Sequence, residues 1–232
     1  MSAQCPLCSS RNGEWLIVEK APVHKYWKCQ ACELLSMSPL ELPDVIREKG
    51  RYDFHQNEDN PGYRQFLQPV VTALAKTFSP VQRCELTGLD FGCGPSQIPL
   101  LKKMLQEENF YLEVFDPLYH ADQELLQHHY DFITCTEVVE HFHQPQKSWQ
   151  QLASLLKPGA PLLVKTNLQY PHVDFASWSY RRDETHVSFY TPKTMEWLSA
   201  NLGLDLLSID GDFIFFKKSD RKVGPRYIGD MI

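Results

Sequence analysis

The sequence predicts an α/β fold, in which helices flank a mainly parallel sheet, with a small cysteine-rich unit in front of it. Between residues 85 and 166, short apolar runs alternate with stretches of helical spacing. Two C-x-x-C pairs lie near the N-terminus, and two apolar runs joined by Asp210-Gly211-Asp212 predict an antiparallel hairpin near the other end. We therefore predict a ribbon and linker over residues 1–48, a main domain over 49–218 and a flexible tail over 219–232.

The composition is that of an ordinary globular protein. The chain has 232 residues, 43% of them hydrophobic, and a formal charge of −6. This length fits one α/β core with an appendage, and the charge gives no general attraction to nucleic acid or an anionic membrane. The N-terminus lacks a basic segment followed by an apolar one, and no apolar run is long enough to cross a bilayer. We predict a cytoplasmic protein with reduced thiols outside the two cysteine pairs and no membrane partner.

The two C-x-x-C pairs are separated by twenty residues, which is typical of two knuckles that share one tetrahedral zinc ion. The four predicted zinc ligands are Cys5, Cys8, Cys29 and Cys32. A redox-active dithiol and a four-cysteine iron site are the alternatives. Ser9 and Glu33 stand where such knuckles often have glycine. Residues 1–48 hold five Lys/Arg against six Asp/Glu, a balance that favours a structural lid or a protein contact over an RNA-binding ribbon.

A glycine turn follows the first strand of the predicted sheet, in the sequence Leu89-Asp90-Phe91-Gly92-Cys93-Gly94. Glycines at this place let the backbone approach a ligand closely, and Pro95 is predicted to be the first residue of the next helix. The dinucleotide-binding pattern is not met, because Gln97 stands where that pattern has its third glycine. A ligand-binding turn and a generic tight turn between strand and helix both remain open on this stretch alone.

The Asp90-x-Gly92-x-Gly94 pattern resembles the first motif of class I S-adenosylmethionine (SAM)-dependent methyltransferases, whose sheet is Rossmann-like. The resemblance implies that Asp90 contacts the ammonium end of SAM and that the backbone of Gly92 and Gly94 packs beside the cofactor. Ser96 stands where the family often has a third glycine. Asp116 ends the second strand, twenty-two residues after Gly94, where a carboxylate can accept both ribose hydroxyls.

The region after the second strand is unusually short for this family. The segment from Pro117 to His129 has only thirteen residues, too few for the two helices and the strand that the family usually has there. We predict that the third-strand region is reduced to a loop or a helical turn. By the same resemblance Asp122, in this remnant, is expected to contact the adenine, and Thr136, at the end of the next strand, to contact the cofactor.

The sequence Glu137-x-x-Glu140-His141 follows that strand and is the predicted catalytic motif. If a helix begins near Glu137, these three side chains share one face, and two carboxylates with an imidazole suit Mg²⁺, Mn²⁺ or Zn²⁺. The spacing resembles ubiquinone-pathway O-methyltransferases and small-RNA 2′-O-methyltransferases, and the latter resemblance implies a further histidine ligand, which would be His186. The alternative has no metal, with His141 as a general base or a wall residue.

A long aromatic segment over residues 167–190 is predicted to be the substrate wall, because loops of this length in compact domains are usually functional. The predicted substrate contacts are Trp178, Tyr180, Arg181 and Tyr190, with Arg181 or Arg182 facing an anionic group of the substrate. In class I methyltransferases the segment just ahead of the first motif often folds over SAM, and this resemblance implies that Tyr52, His55 and Asn57 line the cofactor site. Aromatic packing over the sheet edge and a solvated loop are the alternatives.

Five features come in the order in which class I methyltransferases have them. They are the glycine turn, the acid that ends the second strand, the E-x-x-E-H stretch after the next strand, the Pro158-Gly159 turn and the terminal hairpin. The predicted function is methyl transfer from SAM to the oxygen of a small hydroxylated metabolite, assisted by a divalent metal in one version. One alternative methylates RNA, using the ribbon, Arg181, Arg182 and the basic tail. An alternative of another class is a SAM-binding or zinc-binding interaction module without catalysis.

Overall fold

The computed structural model describes residues 4–53 and 59–220, which form two sheets and six α-helices. The strands are β1 (Gly13–Val18), β2 (His24–Cys29), β3 (Leu35–Met37), β4 (Thr87–Phe91), β5 (Tyr111–Phe115), β6 (Phe132–Thr136), β7 (Pro161–Lys165), β8 (Ser188–Phe189), β9 (Leu204–Asp210) and β10 (Phe213–Lys218). The α-helices are α1 (Val45–Tyr52), α2 (Pro61–Thr77), α3 (Pro80–Arg83), α4 (Leu100–Glu107), α5 (Pro145–Ser154) and α6 (Pro192–Leu202).

The larger sheet has the order β5-β4-β6-β7-β10-β9. Strands β4 to β7 are parallel, and β10 pairs antiparallel with both β7 and β9. Apolar side chains of α2 and α4 cover one face of the sheet, and those of α5 and α6 cover the other. Because both faces are covered, β7 is buried along its whole length. This arrangement confirms the predicted Rossmann-like sheet with its antiparallel terminal hairpin.

The predicted reduction of the third-strand region is also confirmed. Strand β5 is an edge strand of the sheet. The chain between β5 and β6 forms one 3-10 helix, Gln123–Gln127, a β-bridge between Asp116 and His120, and a β-bridge from Tyr130 to Leu156. A further parallel strand would need a crossover of about a dozen residues on each side of it, which this interval does not provide.

The helix after the glycine turn begins later than predicted. It begins at Leu100 and not at Pro95, with Pro99 as the residue that precedes its first turn. A proline disfavours helical backbone in the residue before it, so Pro99 keeps Ile98 out of the helix. The helix therefore begins after Pro99, at Leu100. Of the residues ahead of this helix, Pro95, Ser96 and Pro99 form part of the cavity wall described below.

The smaller sheet, with the order β1-β2-β3-β8, is antiparallel and forms the cysteine ribbon. Its fourth strand, β8, comes from residues 188–189, far along the chain from the other three strands. Residue 48, the predicted boundary between ribbon and main domain, lies inside α1. The ribbon and the main domain therefore share a sheet. Residues 221–232 of the predicted tail lie outside the described residues. Among the helices of the described part, none combines the length and the apolar character that a membrane crossing requires.

Candidate functional site

A cavity of about 930 Å³ opens at the carboxyl ends of the parallel strands. Ligands of open α/β sheets bind at this edge, because loops and helix N-termini converge there. The structure brings ten of the predicted site residues to the cavity lining: Asp90, Gly92, Gly94, Asp116, Thr136, Glu137, His141, Trp178, Tyr180 and His186. Tyr52 lines it as well, whereas His55 and Asn57 lie outside the described residues.

The glycine turn has the conformation that requires glycine. Gly92 and Gly94 have φ values of 81° and 75°, in the left-handed region. A Cβ atom on Gly92 would lie 2.4 Å from Cγ2 of Val138, so a side chain has no room there. The Gly92 amide donates to the carbonyl of Phe115 at 2.7 Å, which holds the turn against the end of β5. Gly92 and Gly94 therefore contribute only backbone to the cavity lining.

Asp90 lies at the end of β4 and is buried, with only 5% of its surface exposed. Its Oδ1 accepts a hydrogen bond from the Thr134 hydroxyl at 2.8 Å. Burial raises the pKa of Asp90 to about 6, and the hydrogen bond from Thr134 opposes that shift. A cationic group bound beside Asp90 would therefore meet a carboxylate that is ready to ionise near neutral pH.

Asp116 lies at the end of β5, and its carboxylate accepts three backbone hydrogen bonds. Oδ2 accepts from the Gly94 amide at 3.0 Å, and Oδ1 accepts from the amides of Leu118 and Tyr119 at 2.9 and 3.2 Å. These bonds tie the second strand to the glycine turn. Asp122 lies elsewhere: it is exposed, outside the cavity lining, and its side chain accepts from the Glu124 amide at the start of a 3-10 helix.

The E-x-x-E-H stretch does not form the α-helical face that its spacing predicts. Glu137 has a left-handed φ of 53°, and only the three residues Val139–His141 form a 3-10 helix. The Glu137 amide donates to the Lys165 carbonyl at 2.8 Å, so the chain leaves β6 through a sharp turn before it coils. A left-handed glutamate is uncommon, and such backbone concentrates at functional sites.

Two carboxylates nevertheless meet, through Tyr180 and not through a helix face. The Tyr180 hydroxyl lies 2.5 Å from Oε1 of Glu140 and 3.1 Å from Oε2 of Glu137. The Thr166 hydroxyl donates to Oε2 of Glu140 at 2.9 Å, while Oε1 of Glu137 and the Thr136 hydroxyl are buried without a hydrogen-bond partner among the described residues. Burial raises the pKa of Glu137 to about 8 and that of Glu140 to about 7.

His141 and His186 lie side by side with their ring centroids 4.7 Å apart. Nδ1 of His141 bonds to the Thr185 carbonyl at 2.9 Å, and Nδ1 of His186 bonds to the Tyr180 carbonyl at 2.7 Å. A carbonyl can only accept, so both Nδ1 atoms carry the proton and both Nε2 atoms keep a lone pair. Burial lowers the pKa of both imidazoles, that of His186 to about 3, which keeps them neutral.

Three of these side chains offer ligand atoms close enough for one metal ion. One ligand atom each from Glu140, His141 and His186 lies within 4.8 Å of the others. Histidines whose Nδ1 is held by a carbonyl are the usual form of metal-binding histidine. Glu137 is not part of this group, although it lines the cavity next to it.

Two predicted substrate contacts lie outside the cavity lining. The Arg181 guanidinium is buried and donates to backbone carbonyls, among them that of Pro22 in the ribbon at 2.7 Å. The Tyr190 hydroxyl donates to the Val139 carbonyl at 2.9 Å and accepts from Trp149, so Tyr190 supports the 3-10 helix from below. The sequence pattern does not distinguish these roles, because aromatic and arginine side chains suit both a wall and a core.

Several lining residues were not predicted as site residues. Helix α1 contributes Glu48 and Arg51 to the cavity, and α2 contributes Tyr63 and Phe66. A usable indication of α1 was present in the sequence: Asp44 caps its N-terminus, accepting from the Arg47 amide at 2.8 Å.

The four cysteines of the two C-x-x-C pairs are all buried, and their sulfur atoms lie within 4.8 Å of one another. Sγ of Cys5 is 3.6 Å from that of Cys32, and Sγ of Cys8 is 3.4 Å from that of Cys29. Sulfur atoms around a tetrahedral zinc ion are about 3.8 Å apart, because each zinc–sulfur bond is about 2.3 Å long. The four thiols therefore fit one zinc ion.

Comparison with known proteins places this chain in a family. A sequence profile described as "Methyltransferase domain" matches residues 63–209, more than half of the chain. The ubiquinone biosynthesis O-methyltransferases of Pectobacterium atrosepticum and Vibrio cholerae are 32% and 33% identical to it over 82 residues, which is 35% of this chain and 33% of theirs. The chain thus matches about a third of the length of these curated relatives.

Solved structures show the same fold at low sequence identity. The 1,6-didemethyltoxoflavin-N1-methyltransferase of Burkholderia thailandensis, solved with S-adenosylhomocysteine, is 12% identical, with a TM-score of 0.55 over 90% of this chain and 100% of that one. An O-methyltransferase family protein from the same organism is 14% identical, with a TM-score of 0.52 over 78% of this chain and 65% of that one. Together with the profile match and the glycine-turn cavity, these similarities assign the chain to the methyltransferase-domain family of class I SAM-dependent methyltransferases.

Proposed function

We propose that this protein transfers a methyl group from SAM to a hydroxyl oxygen of a small molecule. The observation that carries the proposal is one cavity lined by a glycine turn, its two acids, His141 and His186, with a ligand atom of the buried Glu140 within 4.8 Å of those of the two histidines. The O-methyltransferase relatives support oxygen as the acceptor atom. When bound, SAM supplies a methyl group on a positively charged sulfur that leaves as a neutral thioether.

The donor half of the cavity has the features that SAM requires. The buried carboxylate of Asp90, beside the glycine turn, suits the ammonium end of an amino acid. Asp116 keeps further lone pairs for the ribose hydroxyls while it holds the turn. The Thr136 hydroxyl, buried without a partner among the described residues, is a further group available to the cofactor.

The acceptor half would orient the hydroxyl and take its proton. SAM held by Asp90 and Asp116 would supply the methyl carbon to which the acceptor oxygen bonds, and the electron pair of the broken carbon–sulfur bond would stay on sulfur. The proton goes to the ionised form of Glu137, a residue that lines the cavity and whose Oε1 is buried without a partner among the described residues. Trp178 and Tyr180 form the wall that orients the acceptor and excludes water.

Metal assistance is the second part of this proposal. Glu140, His141 and His186 would hold a divalent cation, and two imidazole nitrogens with a carboxylate favour Zn²⁺ or Mn²⁺ over Mg²⁺. A cation bound there would lower the pKa of the acceptor hydroxyl. We also propose that the four ribbon cysteines bind a structural zinc ion, separate from this group.

Label transfer tests the proposed function. The protein is incubated with methyl-labelled SAM and, in parallel, with a small-metabolite extract, total RNA and total protein. We expect label in the small-metabolite pool as a methyl ether, which resists mild alkali. Label in RNA, at a rate that falls steeply as salt is raised, would instead favour an RNA substrate. Tight SAM binding without label in any pool would contradict the enzyme proposal.

The affinity for SAM should depend on pH through Asp90. Its pKa in the free protein is about 6, and a bound ammonium would lower it, so binding releases a proton below pH 6. We expect the dissociation constant to rise about tenfold from pH 7 to pH 5. Three other ionisable groups interact electrostatically with Asp90. Asp116 raises the pKa of Asp90, and Tyr63 and Cys93 have pKa values far above the range from pH 5 to pH 7.

Isothermal titration at several pH values measures this dependence. The control is Asp90→Asn, which keeps the shape of the side chain and cannot titrate. This variant should bind SAM more weakly at pH 7, and its affinity should be nearly constant between pH 5 and pH 7. An equal pH dependence in both proteins would assign the effect to another group.

A further inference from the structure

A buried arginine in the aromatic segment joins the ribbon to the acceptor side of the cavity. The Arg181 side chain is 1% exposed and lies against the loop between β1 and β2. Its Nη1 donates to the Pro22 carbonyl at 2.7 Å, and its Nη2 lies 3.2 and 3.4 Å from the carbonyls of Lys20 and Ala21. Nη2 also donates to Ala176 at 3.1 Å. The guanidinium thus joins two distant segments of the chain.

This cation is held by backbone carbonyls and by the Tyr26 hydroxyl, which lies 3.4 Å from Nη1. Within residues 4–53 and 59–220, no carboxylate forms an ion pair with Arg181. Burying a guanidinium is costly unless its donors are bonded, so the three ribbon carbonyls and the arginine must keep their relative positions. A shift of the ribbon loop would leave a buried charge without its partners.

The residue next to Arg181 reaches the acceptor side directly. Tyr180 contacts Glu137 and Glu140 through its hydroxyl, and its main-chain carbonyl accepts from Nδ1 of His186. The Tyr180 ring also lies 4.2 Å from the His186 ring. The backbone position of Tyr180, which Arg181 fixes, therefore sets both the tyrosine hydroxyl and the orientation of one imidazole.

The strand pairing adds a second connection on the other side of His186. The Met37 amide of β3 donates to the Val187 carbonyl at 2.8 Å, and the Val187 amide donates to the Glu140 carbonyl at 2.9 Å. The aromatic rings of Tyr26 in the ribbon and Phe175 in the wall have centroids 5.0 Å apart. The segment 175–189 is thus held between the ribbon and the E-x-x-E-H turn.

We propose that Arg181 is a positioning residue that ties the cysteine ribbon to the acceptor wall, so that the ribbon holds Tyr180 and His186 in place. The ribbon then acts as part of the active-site framework and not as a separate substrate-binding module. The donor half, on β4 and β5, is held by its own bonds to Thr134 and Phe115 and does not depend on this connection.

The test is the variant Arg181→Met, which removes the charge and all of its hydrogen bonds while keeping much of the volume. We expect hydrogen–deuterium exchange to increase in residues 175–189, with exchange in β4 and β5 unchanged. Methyl transfer should fall on the order of 10- to 100-fold, while the dissociation constant for SAM stays within about twofold. The Nδ1–H resonance of His186 in nitrogen-15 spectra should weaken or shift, which a merely structural change elsewhere would not produce.

Two further variants complete the design. Arg181→Lys, which keeps the charge and can bond to one or two of the carbonyls, should retain an intermediate rate, and it carries the test if Arg181→Met does not fold. Arg83→Lys is the matched control, because Arg83 likewise donates to the backbone carbonyls of Ala75 and Phe78 but lies outside the cavity lining. This control should leave exchange in residues 175–189 and the transfer rate unchanged.

Two results would overturn the proposal. One is unchanged exchange in residues 175–189 in both Arg181 variants. The other is a loss of SAM affinity as large as the loss of transfer rate, since that would mean that the whole cavity is affected. The exchange and resonance measurements need no acceptor, so they stand even if the proposed small-molecule acceptor is wrong.

Discussion

Glu140→Gln should lower the rate of methyl transfer by about 100-fold or more while leaving the affinity for SAM within about twofold. Glu140 is fully buried, and its carboxylate contacts Tyr180 and Thr166 on the acceptor side. Glutamine has the same shape and can keep hydrogen bonds to both hydroxyls, but it removes the negative charge. The substitution also removes a buried ionisable group, so we expect the melting temperature to be unchanged or higher. Steady-state kinetics on the acceptor found by label transfer measures the rate.

The control for this variant is Glu113→Gln. Glu113 also accepts a tyrosine hydroxyl bond, from Tyr130 at 2.8 Å, but it lies on β5 outside the cavity lining. This variant should keep full activity. Metal analysis separates the metal-assisted version of the mechanism from the metal-free one. If the enzyme is metal-assisted, Glu140→Gln should contain one divalent ion per chain fewer than the wild type. The wild type, inactivated by a chelator, should then regain activity when Mn²⁺ or Zn²⁺ is added. A fully active Glu140→Gln protein would exclude Glu140 from catalysis.

Cys29→Ser should destabilise the protein severely. A structural zinc site contributes roughly 10 kcal/mol or more to the folding of a small domain, and loss of one thiolate removes much of that. Because Leu7 and the four paired cysteines pack in the same apolar cluster as the main sheet, the effect should not stay inside the ribbon. We expect a fall in melting temperature on the order of 10 °C or more, with loss of about one zinc ion per chain. Calorimetry and elemental analysis measure both.

Cys84→Ser is the matched control, because Cys84 is an exposed free thiol outside the cluster. It should leave the zinc content and the melting temperature unchanged. If the wild-type protein contains iron, or no metal at all, in the presence of excess zinc, the zinc assignment is wrong. If Cys29→Ser melts like the wild type, the ribbon does not depend on a bound metal.

Local sequence patterns predicted the fold well where short-range chemistry controls the backbone. The glycine turn, the Pro158-Gly159 turn and the terminal hairpin rest on such preferences, and the short interval after Asp116 excluded a further strand by length alone. Ser9 and Glu33 show that the left-handed backbone expected after a cysteine knuckle can form without glycine. Each follows the second cysteine of a pair and adopts the left-handed φ, 60° and 57°, for which glycine is common there.

The same patterns were misleading where two local rules compete. Pro95 has the preference for the first turn of a helix, but Pro99 imposes a later start at Leu100. The E-x-x-E-H spacing fits an α-helical face, but the hydrogen bond from Glu137 to Lys165 extends the strand pairing and leaves room only for a 3-10 turn. The carboxylates are brought together by Tyr180 instead, which lies about forty residues away in the chain.

The sequence by itself determined the class of fold, the residue types at the donor turn and the four thiols of the ribbon, because these follow from spacing, turn chemistry and ligand chemistry within short stretches. Only the tertiary structure decided which side chains of the aromatic segment face the cavity. Arg181 bonds to the ribbon, Tyr190 supports the 3-10 helix, and Tyr180 and His186 reach the acceptor side. These roles depend on pairing between segments separated by tens to more than a hundred residues, and side chains of the same type would satisfy either environment.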